Sequence, residues 1–211
     1  MIFKTSLFEV PLYKTTAHKH SEISAWFENY IHPVYEQTGN NDTERSIFSS
    51  YFPGAPKLDK TLFDQFYKTN FDEFLIKAGF NTHQQWEVRK KYWYNYGKRG
   101  AYQEAHDHLN GPLPVNYAAI HFVKFNKDVH KGTVFYNPLE GVLKSTQPTT
   151  KDHLRPNDYQ KLQHIVDVNE GDMIFFPSYV PHSVITQDSD EERLTVAINL
   201  SIFESGIYER S

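Results

Sequence analysis

The rhythm of apolar and polar positions changes near residue 86. Before it, apolar side chains recur at helical spacing: Ile23, Trp26, Phe27, Tyr30 and Ile31 share one face of a segment from Ser21 to Ile31. His32-Pro33 closes that segment, since the residue ahead of a proline is pushed out of helical backbone. A second helix is expected from about Asp59 through Ile76, carrying Leu62, Phe63, Phe66, Phe74 and Leu75, with Gly79 as its stop. Between them, Ser49 to Pro56 holds two prolines and a glycine and reads as a loop.

Beyond Trp86 the period shortens to two. Glu87 to Tyr96 reads as a strand ending at Gly97, and Val115 to Phe125 alternates with Tyr117, Ala119, His121, Val123 and Phe125 on one side. Further short strands are expected at Gly132–Tyr136, Leu162–Val168, Met173–Phe176, His182–Thr186 and Leu194–Phe203. The polar stretch from Lys144 to Asp158 reads as a surface loop or lid. Many short strands with turn signals between them predict a mainly β sandwich or barrel with helices packed outside. The expected organisation is a single domain over 1–211: an N-terminal helical elaboration over 1–85 and a β core over 86–211.

Composition narrows the chemistry. A chain of 211 residues with 39% hydrophobic and 16% aromatic content can bury a full core. Its formal charge of −4 offers nothing to neutralise a phosphate backbone, so general nucleic-acid binding is not expected. With no cysteine, thiol nucleophiles, disulfides and iron–sulfur clusters are excluded. Met1 to Val10 lacks the apolar stretch of a leader, and no run approaches the roughly 18 apolar residues of a membrane helix. The expectation is a cytoplasmic protein without a membrane partner, in a host cytoplasm if a phage encodes it.

Three segments then stand out. His106-Asp107-His108 places two imidazoles two residues apart, on one face if the backbone is extended. Gly171 opens an apolar run to Phe176, and the turn Pro177-Ser178-Tyr179-Val180-Pro181 delivers His182 to the next strand. Arg193 follows a polar turn, with Thr195 on its face; if that turn is a simple hairpin, His182 and Arg193 lie on adjacent antiparallel strands. Three imidazoles leave open positions on a transition metal, and a guanidinium suits a carboxylate. The plainer readings are two exposed turn histidines, a core histidine at 182, and a surface ion pair from Arg193 to Glu191 or Glu192. His121 reads as a buried structural histidine. Arg89-Lys90-Lys91 reads as a solvated edge, or as a cationic mouth for an anionic substrate.

With these residues in place, the stretch from Trp86 to Phe203, including Asn137-Pro138, resembles the iron(II)- and 2-oxoglutarate-dependent dioxygenases, particularly the oxygenases of marine phages and bacteria. The resemblance implies a double-stranded β-helix, or jelly-roll, core. It implies Fe(II) held by His106, His108 and His182, and 2-oxoglutarate as a small-molecule cosubstrate whose distal carboxylate meets Arg193 and Thr195. Tyr94, Tyr96 or Tyr102 would add a phenol to that cosubstrate. The family's usual second ligand is a carboxylate two residues after the first histidine, where this chain has His108; Asp107 is the alternative if the backbone is bulged. The activity implied is hydroxylation of an unidentified substrate, with succinate and CO2 as products.

The same residues also resemble cupins, which share the core. Gly100 to His108 matches the opening of their first motif and Gly171 to His182 most of the second, but the glutamate expected after His108 is missing. A cupin-type metalloenzyme without an oxo-acid is therefore the enzymatic alternative, and a non-catalytic jelly-roll interaction module is the other. A cupin metal site gives Arg193 and Thr195 no required role.

Overall fold

One pairing organises the chain. Strand β10 (Arg193–Glu204) runs antiparallel to β3 (Trp86–Gly97) along its whole length, from Arg193 opposite Gly97 to Glu204 opposite Trp86. On its other edge β10 pairs with β5 (Tyr117–Lys124), with a register shift between Leu194 and Thr195. The computed structural model describes residues 10–38, 47–80, 86–111, 114–139 and 162–205. The expected loop at 144–158 lies outside them.

Two antiparallel sheets form the core. Strands β1 (Tyr13–Thr16), β8 (Asp172–Pro177), β5, β10, β3 and β2 (Phe48–Ser49) make the larger, in that order. The smaller is β4 (Gln103–His106), β9 (His182–Val184), β6 (Thr133–Tyr136) and β7 (Gln163–Ile165). From β3 onward the chain crosses between sheets at every connection except β6–β7, which is the winding of a double-stranded β-helix. Ala118, Ile120 and Phe122 of β5 meet Phe135 of β6 and Ile174 and Phe176 of β8 in the interior.

The opposite face of the larger sheet carries the helices. On β3 and β10 the period of two sends Tyr92, Tyr94, Tyr96, Leu194, Val196 and Ile198 to this side. They pack on Phe27 of helix α1 (His20–Tyr30), Tyr35 of α2 (His32–Thr38), Phe63 of α3 (Lys60–Phe66) and Phe71 and Phe74 of α4 (Lys68–Lys77). Phe74 stacks on Phe175 with ring centroids 4.2 Å apart and planes within 3°; such a contact is worth about 1 kcal/mol beyond area burial.

The helical expectations change in detail. The segment after Ile31 continues as α2 rather than stopping, because Pro33 sits in a first turn where its missing N–H costs nothing. The second helix is two: Asp59 caps α3 by accepting from the N–H groups of Thr61 and Leu62, and the backbone leaves helical geometry at Tyr67 (φ −97°, ψ 3°). The residues before 86 also contribute strands β1 and β2 to the larger sheet.

The break at Tyr67 serves a buried contact. Its hydroxyl is hydrogen-bonded to His121 Nδ1 at 2.7 Å, and His121 Nε2 lies 3.1 Å from His20 Nδ1. His20 packs against Gly171, whose φ of 86° suits a residue without Cβ. His121 is thus structural and clamps α1 and α4 to the sheet. Burial, reinforced by neighbouring His20, pushes its imidazole down to about 3. That lies below the unfolded value near ~6.5, so the unfolded chain takes the proton first. The stabilisation is complete above that value and is lost as pH falls toward the folded one. His121→Gln removes this term. Urea unfolding between roughly pH 6 and pH 4 is expected to show a slope shallower than wild type by about 1 kcal/mol per pH unit.

Candidate metal centre and cosubstrate pocket

His182 opens β9 and stands in register with His106 of β4 on one side and Phe135 of β6 on the other. The ring centroids of His106 and His182 are 4.3 Å apart. The intervening turn fixes this position: Val180 N–H donates to the Pro177 carbonyl, and the Pro181 carbonyl accepts from Tyr136 N–H. The same turn recruits a third imidazole. Strand β4 ends at His106, so His108 does not lie on a shared strand face as the spacing suggested; instead its N–H donates to the Ser178 carbonyl at 3.0 Å. Pro177 and Ser178 therefore hold two histidines from different parts of the chain.

The candidate ligand nitrogens of His106, His108 and His182 lie within 4.8 Å of one another, and Asp107 is outside this group. Asp107 Oδ1 accepts from Leu109 N–H at 3.1 Å, turned back on its own backbone. His106 Nδ1 donates to the Glu104 carbonyl at 2.7 Å and His182 Nδ1 to the Val180 carbonyl at 3.1 Å, which makes Nε2 the ligand nitrogen of both rings. His108 Nε2 and His182 Nε2 are 3.3 Å apart. Two imidazole bonds of roughly 2.1 Å at a right angle span about 3 Å, so the spacing suits adjacent positions on one ion. Burial, then neighbouring His106, pushes His108 down to about 4 and His182 to about 3, so both are neutral near pH 7. Neutral imidazole is the form that binds metal.

Arg193 stands on the inward face of β10 and is 5% exposed. It has no ion pair among the described residues, and its Nε has no hydrogen-bond partner. Its guanidinium carbon lies 5.9 Å and 5.8 Å from the ring centroids of Phe122 and Phe125. Burial alone pushes this group down to about 10. The surface ion pair is absent because Glu192 is engaged by Lys98, Lys124 and the Tyr96 hydroxyl. Arg193, Thr195 and the three histidines line one inner cavity. An uncompensated buried cation costs several kcal/mol, and an incoming carboxylate removes that cost.

Residues 91–199 match the family model described as "Putative 2OG-Fe(II) oxygenase". The chain belongs to this 2OG-Fe(II) oxygenase family. Its architecture is similar to a prolyl-4-hydroxylase of Pseudomonas putida, at 14% identity and a TM-score of 0.53 over 91% of this chain and 92% of that one. It is likewise similar to a viral collagen prolyl hydroxylase of Paramecium Bursaria Chlorella virus-1 solved with 2OG, at 11% identity and a TM-score of 0.54 over 90% and 94%. HygX of Streptomyces hygroscopicus, solved with nickel and 2-oxoglutarate, gives 10% identity and 0.52 over 91% and 82%. At such identities the likeness is one of fold. No curated protein matches the chain.

Fe(II) and 2-oxoglutarate are the cofactors of this oxygenase family. The residues present fit them, in the donor chemistry of the three imidazoles and in the buried guanidinium sharing their cavity, whose Nε has no partner among the described residues.

Several sequence expectations fall elsewhere. Arg193 and His182 are not on adjacent strands: β9 belongs to the smaller sheet and β10 to the larger, so the two face each other across the interior. Tyr94 does not reach the oxygenase pocket; Trp93 and Asn95 face inward, which turns Tyr94 toward Phe27 and Phe48 in the helical core. Tyr96 shares that side. Tyr102 precedes β4 and is 46% exposed, outside the cavity. Of the aromatic walls, Trp93 lines the cavity, Phe135 packs beside His182, and Tyr92 and Tyr117 belong to the helical core.

Sequence reasoning missed Asn95, Gln103 and Thr133, which also line the inner cavity. Gln103 Nε2 is 3.3 Å from His106 Nε2, Asn95 Oδ1 accepts from the Ser49 hydroxyl at 2.7 Å, and Thr133 Oγ1 is buried without a partner among the described residues. The signal was available for Asn95: it falls two residues after Trp93, a polar position in step with the inward face. Saturating Mn(II), at 100 times its dissociation constant, is expected to stabilise the chain by about 2.7 kcal/mol in thermal unfolding. His182→Ala removes the shift, whereas His18→Ala, in an exposed pair with Glu73, keeps it.

Proposed function

We propose that the chain is a hydroxylase in which His106, His108 and His182 hold Fe(II) and Arg193, with Thr195, holds the distal carboxylate of 2-oxoglutarate. The observation that carries this reading is the buried guanidinium, without an anionic partner among the described residues, sharing one cavity with three clustered imidazoles. When bound, the metal and cosubstrate supply dioxygen activation, with succinate and CO2 formed from the oxo-acid.

The chain's own residues orient and shield. The Glu104 and Val180 carbonyls lock the ring orientation of His106 and His182, and the Ser178 carbonyl fixes the backbone of His108. Three protein ligands leave positions for a chelating cosubstrate and for dioxygen. Phe122 and Phe125 keep water from Arg193, where a charge-assisted bidentate contact is stronger than at a wet surface. Thr195 adds a hydroxyl from the same strand face. His108 in place of a carboxylate leaves the site with one negative charge fewer, so the metal centre is more cationic before the cosubstrate arrives.

Hydroxylation asks little of the surroundings beyond position. Asp107 is the carboxylate at the mouth of the site, and one of its oxygens is engaged by Leu109. Arg193→Met tests the assignment in two directions. Removing an unpaired buried charge leaves the metal-free chain as stable as wild type or more so. Losing the carboxylate contact costs about 3 kcal/mol, on the order of 100-fold in 2-oxoglutarate affinity. Urea unfolding and substrate-free succinate formation measure the two effects; wild-type cosubstrate affinity in the variant contradicts the assignment.

A further inference from the structure

The inward face of the β3–β10 ladder does not end at the cosubstrate pocket. Its rungs, in register, are Arg193 with Gly97, Thr195 with Asn95, Ala197 with Trp93, Asn199 with Lys91 and Ser201 with Arg89. Successive same-face rungs are roughly 7 Å apart. The first two belong to the pocket described above. The third is apolar, with the Trp93 ring 5.9 Å from that of His108. The last two are polar and cationic, and they lie in a second cavity of about 560 Å³ that reaches back to His106 and His108. A cavity of this size suits a metabolite-sized molecule.

Two side chains in this outer cavity are placed to meet a ligand, one an exposed cation and the other a buried acceptor. Lys91 makes no ion pair among the described residues; its ammonium sits 4.7 Å from the Tyr51 ring centroid, which orients the charge without neutralising it. Directly across the ladder, Asn199 Oδ1 is buried without a hydrogen-bond donor among the described residues. Arg89 is paired with Glu87, so the unbalanced charge rests on Lys91. Asp107, the carboxylate in the lining, has Oδ1 occupied by Leu109 N–H.

We infer that the outer cavity binds the primary substrate as a small amphiphilic acid, its carboxylate or phosphate on Lys91 and its apolar or planar body along Trp93 and Ala197. A hydroxyl or N–H beside the charged end donates to Asn199. The far end of the molecule reaches the histidines and carries the carbon to be oxidised. Only this last point rests on the hydroxylase reading; the choice of an acid rests on the outer rungs alone.

The test uses probes of one shape and different charge: phenylpropionate, phenyl phosphate and the neutral phenylpropionamide. Binding is measured by calorimetry on the full chain, with and without Mn(II) and 2-oxoglutarate. At least one anion is expected to bind at least tenfold more tightly than the amide, and the stronger of the two identifies carboxylate or phosphate. Lys91→Glu abolishes the preference, while Lys127→Glu, the same charge change on the exposed turn after β5, retains it. Equal binding of amide and anions, no binding of any probe, or an unchanged preference in Lys91→Glu overturns the inference. Failure of 2-oxoglutarate to bind while the anion preference survives on the metal-free chain instead overturns the hydroxylase reading.

Discussion

A cation withdrawn from water with no counter-charge of its own is the constraint around which this molecule is built. Arg193 is buried on a strand paired on both edges, flanked by two phenylalanine rings, and its nearest acidic neighbour in sequence is tied to two lysines and a tyrosine. Such a group costs several kcal/mol in the free protein. The fold bears that cost because β10 is held by long ladders to β3 and β5 and by an aromatic helical layer behind. Placing the guanidinium in a dry site makes its attraction for a carboxylate stronger than at the surface. The 2OG-Fe(II) oxygenase family to which the chain belongs uses a dicarboxylic oxo-acid, and this site has the matching charge.

The histidine cluster depends on a different device. Its three residues come from the end of one strand, the bend beyond it and the start of another. A single proline-bounded turn joins them: its carbonyls orient His182, anchor the backbone of His108 and hold β9 against β6. His108 and His182 stay neutral because they are buried and adjacent to another imidazole, which readies them for a metal. Rigid placement on strand ends gives such a centre its precision.

Much of this was legible in the chain. Period-two patterning located the long strands, and the Pro177-Ser178 turn before His182 marked a directed histidine rather than a free one. The resemblance singled out His106, His182 and Arg193, and the fold brings all three to one cavity. What the sequence hid was non-local. The larger sheet recruits Tyr13–Thr16 and Phe48–Ser49, too short to show a period, through pairing with β8 and β3. The helix break at Tyr67 is set by a hydrogen bond to His121, 54 residues away. Tyr94 was misplaced because an aromatic strand looks alike on both faces; only Asn95, pinned by Ser49, reveals which side faces the pocket. The path from His182 to Arg193 looked like a hairpin but crosses between sheets, a choice fixed by tertiary packing.

The central claim is that three imidazoles and one buried guanidinium form a single site. A crystal structure of the chain grown anaerobically with Mn(II) and 2-oxoglutarate tests it most directly. The account predicts the ion on His106 Nε2, His108 and His182 Nε2, with the distal carboxylate of the oxo-acid on Arg193. An ion bound through Asp107 in place of His108, or an oxo-acid seated with its distal carboxylate away from Arg193, contradicts it.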